Sequence, residues 1–355
     1  MAGQVAVLGA AGFIGSRCVE YLESLDPGSI RAIARRASSL ADFAAAGIRT
    51  HVADGLDTAA LTRAFSGCDA VIHAISGDSQ TIRAAVDPVY RAAEQAGVRR
   101  IVYLSTASVH GQAPEPGTIE ETPLSDRQAI AYNNAKVRAE WRFTELRRSG
   151  SVEIVSLRPG IVYGPGSSWI KGWADDLIAG RAYFVGSVNG ICNCIYVDNV
   201  AHAIRLALDC KSADGEAYLL NDAETVTWGE FYRPISELLG FDFTKIPVFA
   251  FSERSRAWPD VASDLRLGKL VQVALSRAAT TLHNRMGILG RKAGDASTAP
   301  IRPTEERALL YTCRWRFPYH KAETQLGYKP VVSFEDGQRR SLSWLATAGY
   351  PVRGG

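Results

Sequence analysis

The sequence predicts an α/β protein: a doubly wound parallel sheet joined to a smaller, mostly helical C-terminal lobe. Three observations predict it. The chain opens on a short apolar run, Val5–Leu8, followed by Gly9, Gly12 and Gly15 and then a helical pattern. Strand and helix patterns alternate from there to residue 157, which implies a parallel sheet covered on both faces. The character of the sequence changes after Tyr163-Gly164-Pro165-Gly166, where the second lobe is expected to begin.

Val5–Leu8 suits a strand buried on both faces. Glycine is wanted in the turn that follows because it tolerates unusual backbone angles and lets main-chain N–H groups approach a pyrophosphate at the helix's positive end. A tight turn without ligand is the alternative, and the triplet's place between a strand and a helix favours a dinucleotide site. Ser16–Leu25 form the first helix, with Cys18, Val19 and Leu22 on its inner side. Further strands are read at Ile30–Ala34, ending in Arg35-Arg36, and at Ile48–Ala53, closed by Asp54. Ala70–Ile75, Arg100–Ser105 and Val152–Leu157 complete the set. Thr81–Ala96 carry an alanine-rich helical pattern ended by Gly97, and Ala129–Arg148 another, with Gly150 just beyond. Gly111–Asp126 are rich in Pro, Gly and acids and form a surface loop, and Arg158-Pro159-Gly160 break the sixth strand. Trp169–Ala179 read as a helix, Ile191–Val197 as a strand and Asn199–Leu208 as a helix. The expected division is a Rossmann-type cofactor lobe over 1–165, to which 191–224 returns, and a substrate lobe over 166–190 and 225–355.

At 355 residues the chain can bury a full core. Its 46% hydrophobic and 22% charged residues are those of an ordinary soluble protein, and a net charge of +3 does not argue for nucleic acid. The six cysteines show no spaced framework, and Cys192-Asn193-Cys194 lacks a second pair, so no metal site is expected. Their scatter suits a reducing compartment, the first strand leaves no room for a signal peptide, and no apolar run spans a membrane; a cytoplasmic protein is expected. The segment 265–292 holds six basic residues and no acid. It is read as a helical flap of the substrate lobe in preference to a membrane-surface helix.

Two stretches carry chemistry. Tyr132-Asn133-Asn134-Ala135-Lys136 puts a phenol and an ammonium four residues apart, on one face of a helix. A free tyrosine titrates near pH 10, and a lysine cation beside it supplies part of the shift that acid–base work near neutrality needs. Leu104-Ser105-Thr106-Ala107-Ser108 lies at the carboxyl end of the fifth strand, where active groups of open parallel sheets collect. A hydroxyl there can bond a substrate carbonyl, and the pattern alone does not choose among Ser105, Thr106 and Ser108. His73 and His110 read as packed and loop histidines.

Taken in order, GAAGFIG at Gly9–Gly15, Asp54, HAIS at His73–Ser76, STASVHG, YNNAK, RPGIVYGPG at Arg158–Gly166, YVDN at Tyr196–Asn199 and KAETQLGYKP at Lys321–Pro330 resemble the extended short-chain dehydrogenase/reductase family, the NAD(P)-dependent epimerase/dehydratase-like enzymes. The resemblance spans nearly the whole chain. It implies that Tyr132 is the general acid/base, that Lys136 is its partner and contacts the nicotinamide ribose, and that the family's Ser/Thr position falls on Thr106. It places Gly9, Ala11, Gly12, Phe13, Ile14 and Gly15 against the cofactor, with Arg35, Arg36, Asp54, Gly55, Ala74, Pro159 and Val162. Arg158-Pro159 and Tyr163 are expected to line the nicotinamide end, and Ser76, Ser108, Tyr163 and Asn193 to face the substrate.

Departures from the family pattern sharpen the expectation. Members that prefer NAD usually end the second strand with an acid, whereas Ala34-Arg35-Arg36 suits a 2′-phosphate, so NADP(H) is favoured over NAD(H). The Asp-Glu pair that dehydratases carry after the catalytic Thr is replaced by Ala107-Ser108, and the Asn-x-x-Gly-Thr pattern of nucleotide-sugar epimerases is absent around Val86–Ala92. The pattern is closest to the hydroxysteroid dehydrogenase and ketoreductase branch. The expected activity is reduction of a small-molecule ketone, or its reverse; the rivals are an NAD-dependent nucleotide-sugar epimerase and a non-catalytic NAD(P)-binding sensor or scaffold. No nucleic-acid partner is expected, and a homodimer is left open.

Overall fold

The computed structural model describes residues 3–250 and 303–352, so the basic segment 265–292 lies outside the described residues. Strands β1 (Gln4–Leu8), β2 (Ile30–Ala34), β3 (Arg49–Val52), β4 (Cys68–His73), β5 (Arg100–Leu104) and β6 (Glu153–Pro159) form a parallel sheet. Three short strands, β7 (Ile161–Tyr163), β8 (Phe184–Val185) and β9 (Ile191–Cys192), follow, and then β10 (Cys194–Tyr196). Ala217–Leu220 (β11) adds a seventh strand at the far edge, giving the order β11-β6-β5-β4-β1-β2-β3. The order reverses at β1, whose neighbours are β2 and β4, and ligands of open parallel sheets bind at that switch point.

Helices cover both faces. On one side lie α1 (Phe13–Leu25) and, later in the chain, a helix over Val197–Asp209, burying Val19, Leu22 and Ile204 against Val7 and Ile72. The short α2 (Ala41–Ala45) stands at the margin of that same side, with Phe43 against the cluster, and the other side carries α3 (Thr58–Phe65), α4 (Ser79–Ala84), α5 (Val86–Gln95) and α6 (Ala131–Ser149). There Leu61, Phe65, Val89 and Phe143 pack on Ile101 and Val71. The single helix expected over Thr81–Ala96 is two, meeting at Ala85. Pro88 explains the break, because it has no N–H and its ring crowds the carbonyl four residues back. The strand expected over Ile191–Val197 is also divided, at Asn193, and β6 runs through Pro159 before Gly160 ends it.

A further cluster forms where α7 (Ser168–Ile178) meets the helix Trp228–Leu238 and the short helix Glu305–Tyr311. Trp173 stacks on Tyr232 with ring centroids 4.0 Å apart, and Phe184, Trp228 and Tyr311 close around them. Each such side chain contributes on the order of 1.5–3 kcal/mol by leaving water. The buried Asp198 at the start of the Val197–Asp209 helix receives Arg17 of α1 at 3.0 Å and Arg340 of the helix Phe334–Thr347 at 3.3 Å. That carboxylate ties the last helix to the sheet's helical layer.

Candidate active site

The glycine turn after β1 is closed by backbone packing. Gly9 has φ +91°, and a Cβ there would lie 2.8 Å from the backbone of Ala74. A Cβ on Gly15 would lie 2.2 Å from the Gly9 carbonyl oxygen, so only glycine lets α1 start this close to the turn. Gly12 caps α1 and no side chain bonds its first amides. A cavity of about 300 Å³ lies in front, lined by Gly9, Ala11, Gly12, Arg35, Arg36, Asp54, Gly55 and Ala74. The Asp54 carboxylate accepts the Leu56 amide at 3.0 Å and so closes the turn after β3. Arg35 and Arg36 are exposed at the end of β2 and make no ion pair among the described residues. Open helix amides, a backbone cradle that excludes side chains and two cations on the rim fit a dinucleotide phosphate.

A second cavity, of about 370 Å³, continues from the first through Gly12, Ala74, Ile75 and Ser76. Its lining unites Phe13, Ile14, Thr106, Ser108, Tyr132, Lys136, Pro159, Val162 and Asn193. Thr106 Oγ1 lies 3.0 Å from Ser108 Oγ and accepts the Ser108 amide at 3.2 Å, capping the turn Ala107–His110. All three hydroxyl residues line the cavity, but the Ser105 hydroxyl is committed to the buried Glu140 carboxylate, whereas those of Thr106 and Ser108 bond each other.

Lys136 is buried, donates from Nζ to the Leu104 carbonyl at 2.7 Å and lies 4.8 Å from the Tyr103 ring centre. Burial pulls its ammonium down to about 8, against the pull of Glu140, which raises it. Tyr132 moves opposite to the sequence expectation: burial, then the charge of Glu306, push its phenol up to about 12. Lys136 does not offset this, because it is itself desolvated and committed to a carbonyl. The phenol therefore holds its proton at neutral pH.

Several residues stand elsewhere than expected. Tyr163 is fully buried, with its ring against Tyr196, Phe231 and Phe334 and its hydroxyl donating to the Phe334 carbonyl at 3.4 Å, and it lines neither cavity. Arg158 lies behind the wall, held by Glu140 at 2.7 Å and by the Glu120 carbonyl at 2.9 Å, while Pro159 reaches the cavity. Asn193 lines the cavity, but its side chain holds the segment after Cys313 by donating to the Trp315 carbonyl at 3.0 Å and accepting from the Phe317 amide at 2.8 Å. His73, by contrast, is packed as expected, edge-on to Tyr103 and Phe143. The sequence reading missed Gln112, Trp169, Trp228, Glu306, Leu310 and Phe317, which complete the wall. No spacing rule connects them, because they come together only through the tertiary fold.

The model of the NAD dependent epimerase/dehydratase family matches residues 5–220. The chain belongs to that family. It is an NAD(P)-dependent enzyme of the extended short-chain dehydrogenase/reductase type. A 3 beta-hydroxysteroid dehydrogenase/Delta 5-->4-isomerase from Mycobacterium tuberculosis is 27% identical, over 97% of this chain and 91% of the relative. A 2-alkyl-3-oxoalkanoate reductase from Shewanella oneidensis is 24% identical, over 94% and 84%. A 3beta-hydroxysteroid-dehydrogenase/decarboxylase from Arabidopsis thaliana is 25% identical, and the family member described here spans 63% of its length. Among solved structures, the dTDP-glucose 4,6-dehydratase of Streptomyces venezuelae with NAD bound superposes with a TM-score of 0.70 at 21% identity, covering 97% of each chain. That likeness establishes the fold. Among the described residues no helix is long and apolar enough to cross a membrane.

Proposed function

We propose that this enzyme is an NADP-dependent oxidoreductase that reduces a ketone, or oxidises the matching secondary alcohol, with Tyr132 as acid and base. One observation carries the reading: Thr106, Tyr132 and Lys136 line a single cavity continuous with the groove of the glycine turn. Gly9, Gly12 and the first amides of α1 would hold the pyrophosphate, and Arg35 with Arg36 the 2′-phosphate. When bound, the nicotinamide supplies or accepts a hydride. The protein's own part is electrostatic and positional. Thr106 donates to the carbonyl oxygen and keeps it within reach of Tyr132, whose phenol, protonated by virtue of burial, gives up its proton as negative charge develops. Lys136, fixed on the Leu104 carbonyl, lies along the same helix face and favours tyrosinate once that proton has gone. The names of the Mycobacterium and Shewanella relatives support hydroxyl–ketone chemistry. Six free cysteines support a reducing, cytoplasmic setting.

The test is isotopic. NADPH carrying deuterium at the transferable position, supplied with a panel of aryl and alkyl ketones, is expected to yield labelled alcohol with one cofactor oxidised per product. Tyr132→Phe is expected to lower that rate by roughly 10²–10⁴-fold while cofactor affinity stays within a few fold. Unlabelled product formed at many equivalents per bound cofactor would instead identify an epimerase that recycles its hydride.

A further inference from the structure

Burying an ammonium is costly unless negative charge meets it. Lys136 is 2% exposed, and its Nζ donates to a neutral group, the Leu104 carbonyl. The titratable neighbours bring no negative charge at neutral pH. Tyr103 on β5 and Tyr132 on α6 are held protonated, chiefly by burial, and His73 on β4 is held neutral. The compensating charge comes from further along α6. Glu140 follows Lys136 by four residues, as Lys136 follows Tyr132, so all three stand on one side of the helix.

Glu140 is 5% exposed and is fixed from two strands. Arg158 of β6 donates to both of its oxygens, at 3.1 and 2.7 Å, and Ser105 at the end of β5 donates its hydroxyl. Arg158 is held in turn by the Glu120 carbonyl at 2.9 Å and lies 3.2 Å from Nε2 of His110, which burial and that arginine keep neutral. Ser105 stands between Leu104, whose carbonyl receives Lys136, and Thr106. The carboxylate therefore ties α6 to the strand end that supplies both the lysine's acceptor and a cavity hydroxyl. Of the ion pair, it is Glu140 whose charge reaches Lys136 and opposes the pull of burial. A buried ion pair is weak evidence for stability, because desolvation offsets the attraction. Its place one turn from the lysine gives it a use in the reaction.

We infer that Glu140 is a positioning residue of the catalytic set, whose carboxylate, anchored by Arg158 and Ser105, balances the charge of the buried Lys136 from one turn along α6. The inference rests on the proposed role of Lys136 beside Tyr132. Glu140 lines neither cavity and acts through the lysine. By keeping the ammonium charged it favours tyrosinate after the phenol has given up its proton.

The test titrates Lys136 itself, by NMR of the whole protein carrying lysine labelled with carbon-13 at Cε. The chain has eight lysines, and the resonance lost in Lys136→Arg belongs to Lys136. In the wild type its midpoint is expected at about pH 8, so the ammonium is charged at neutral pH. Glu140→Gln keeps the shape and an oxygen for Ser105 but removes the charge and leaves Arg158 unbalanced. The midpoint should fall by about one unit or more, the lower end of what a nearby opposite charge supplies. Glu140→Asp, which restores the charge, should recover most of that shift. A merely structural role predicts the opposite sign, because a loosened wall admits water and lets the lysine rise toward its free value of about 10.4. A midpoint that rises or stays in Glu140→Gln overturns the inference, as does a Glu140→Asp midpoint equally low. A wild-type Lys136 already neutral at pH 7 overturns it without any variant. In turnover, the alkaline limb of NADPH-dependent ketone reduction should move down with the lysine. A limb that stays while the lysine midpoint falls would leave the role of Glu140 at Lys136 standing and remove Lys136 as the partner of Tyr132.

Discussion

Replacing Gly15 by alanine tests how the glycine turn joins fold to cofactor. The added Cβ would sit 2.2 Å from the Gly9 oxygen, 2.8 Å from the Gly9 carbonyl carbon and 3.1 Å from Ala10 Cα. Carbon atoms rest at about 3.5–4.0 Å, so α1 must retreat by roughly 1 Å. All three neighbours are backbone, and no rotamer change relieves the contact. Two effects compete. Alanine gains about 1 kcal/mol over glycine inside a helix, but overpacking costs about 1–3 kcal/mol and here falls on a rigid main chain. The clash wins. The retreat also draws the first amides of α1 away from a bound phosphate, and losing one charge-assisted bond costs about 1.5–3 kcal/mol, or roughly tenfold to a hundredfold in affinity. NADPH titration by fluorescence together with thermal unfolding should show at least tenfold weaker binding and a Tm lower by a few degrees. Unchanged affinity with an equal or higher Tm would mean that the turn has room to spare and does not hold the phosphates.

Two further outcomes follow from single side chains. Arg35→Ala should weaken NADPH by about tenfold or more and leave NADH nearly unchanged, because only the former carries the 2′-phosphate; equal losses for both cofactors would make Arg35 a surface charge. His73 is held neutral by burial and by the Lys136 charge, its imidazolium pushed down to about 3 from 6.5, and Nε2 has no partner. The unfolded chain therefore takes up this proton first, so stability is lost as pH falls from about 6.5 toward 3. By pH 5 the loss is about 2 kcal/mol, and His73→Phe should be spared it when urea unfolding is measured at pH 7 and pH 5. Parallel stability curves for the two proteins would refute the assignment.

The parts of the enzyme legible in its sequence are those in which local geometry decides. A strand, three glycines and a helix are one continuous stretch, and the steric demand at Gly9 and Gly15 arises within a few residues. The same holds for Tyr132 and Lys136, whose spacing sets a shared helix face, and for the parallel sheet, which follows from alternating strands and helices. The break near Pro88 was missed, because the alanine-rich pattern around it reads as one helix. What the sequence did not disclose depends on surroundings assembled from afar. The direction in which Tyr132 and Lys136 titrate is set by how deeply both are buried and by the Leu104 carbonyl, 32 residues from Lys136. Tyr163 follows the family pattern yet turns into the core, because Tyr196, Phe231 and Phe334 surround it there. Gln112 and Glu306 are 194 residues apart and meet across the cavity. Spacing along the chain fixes orientation over a turn or a strand, whereas desolvation and charge act through space, and only the packed tertiary structure brings those distances into being.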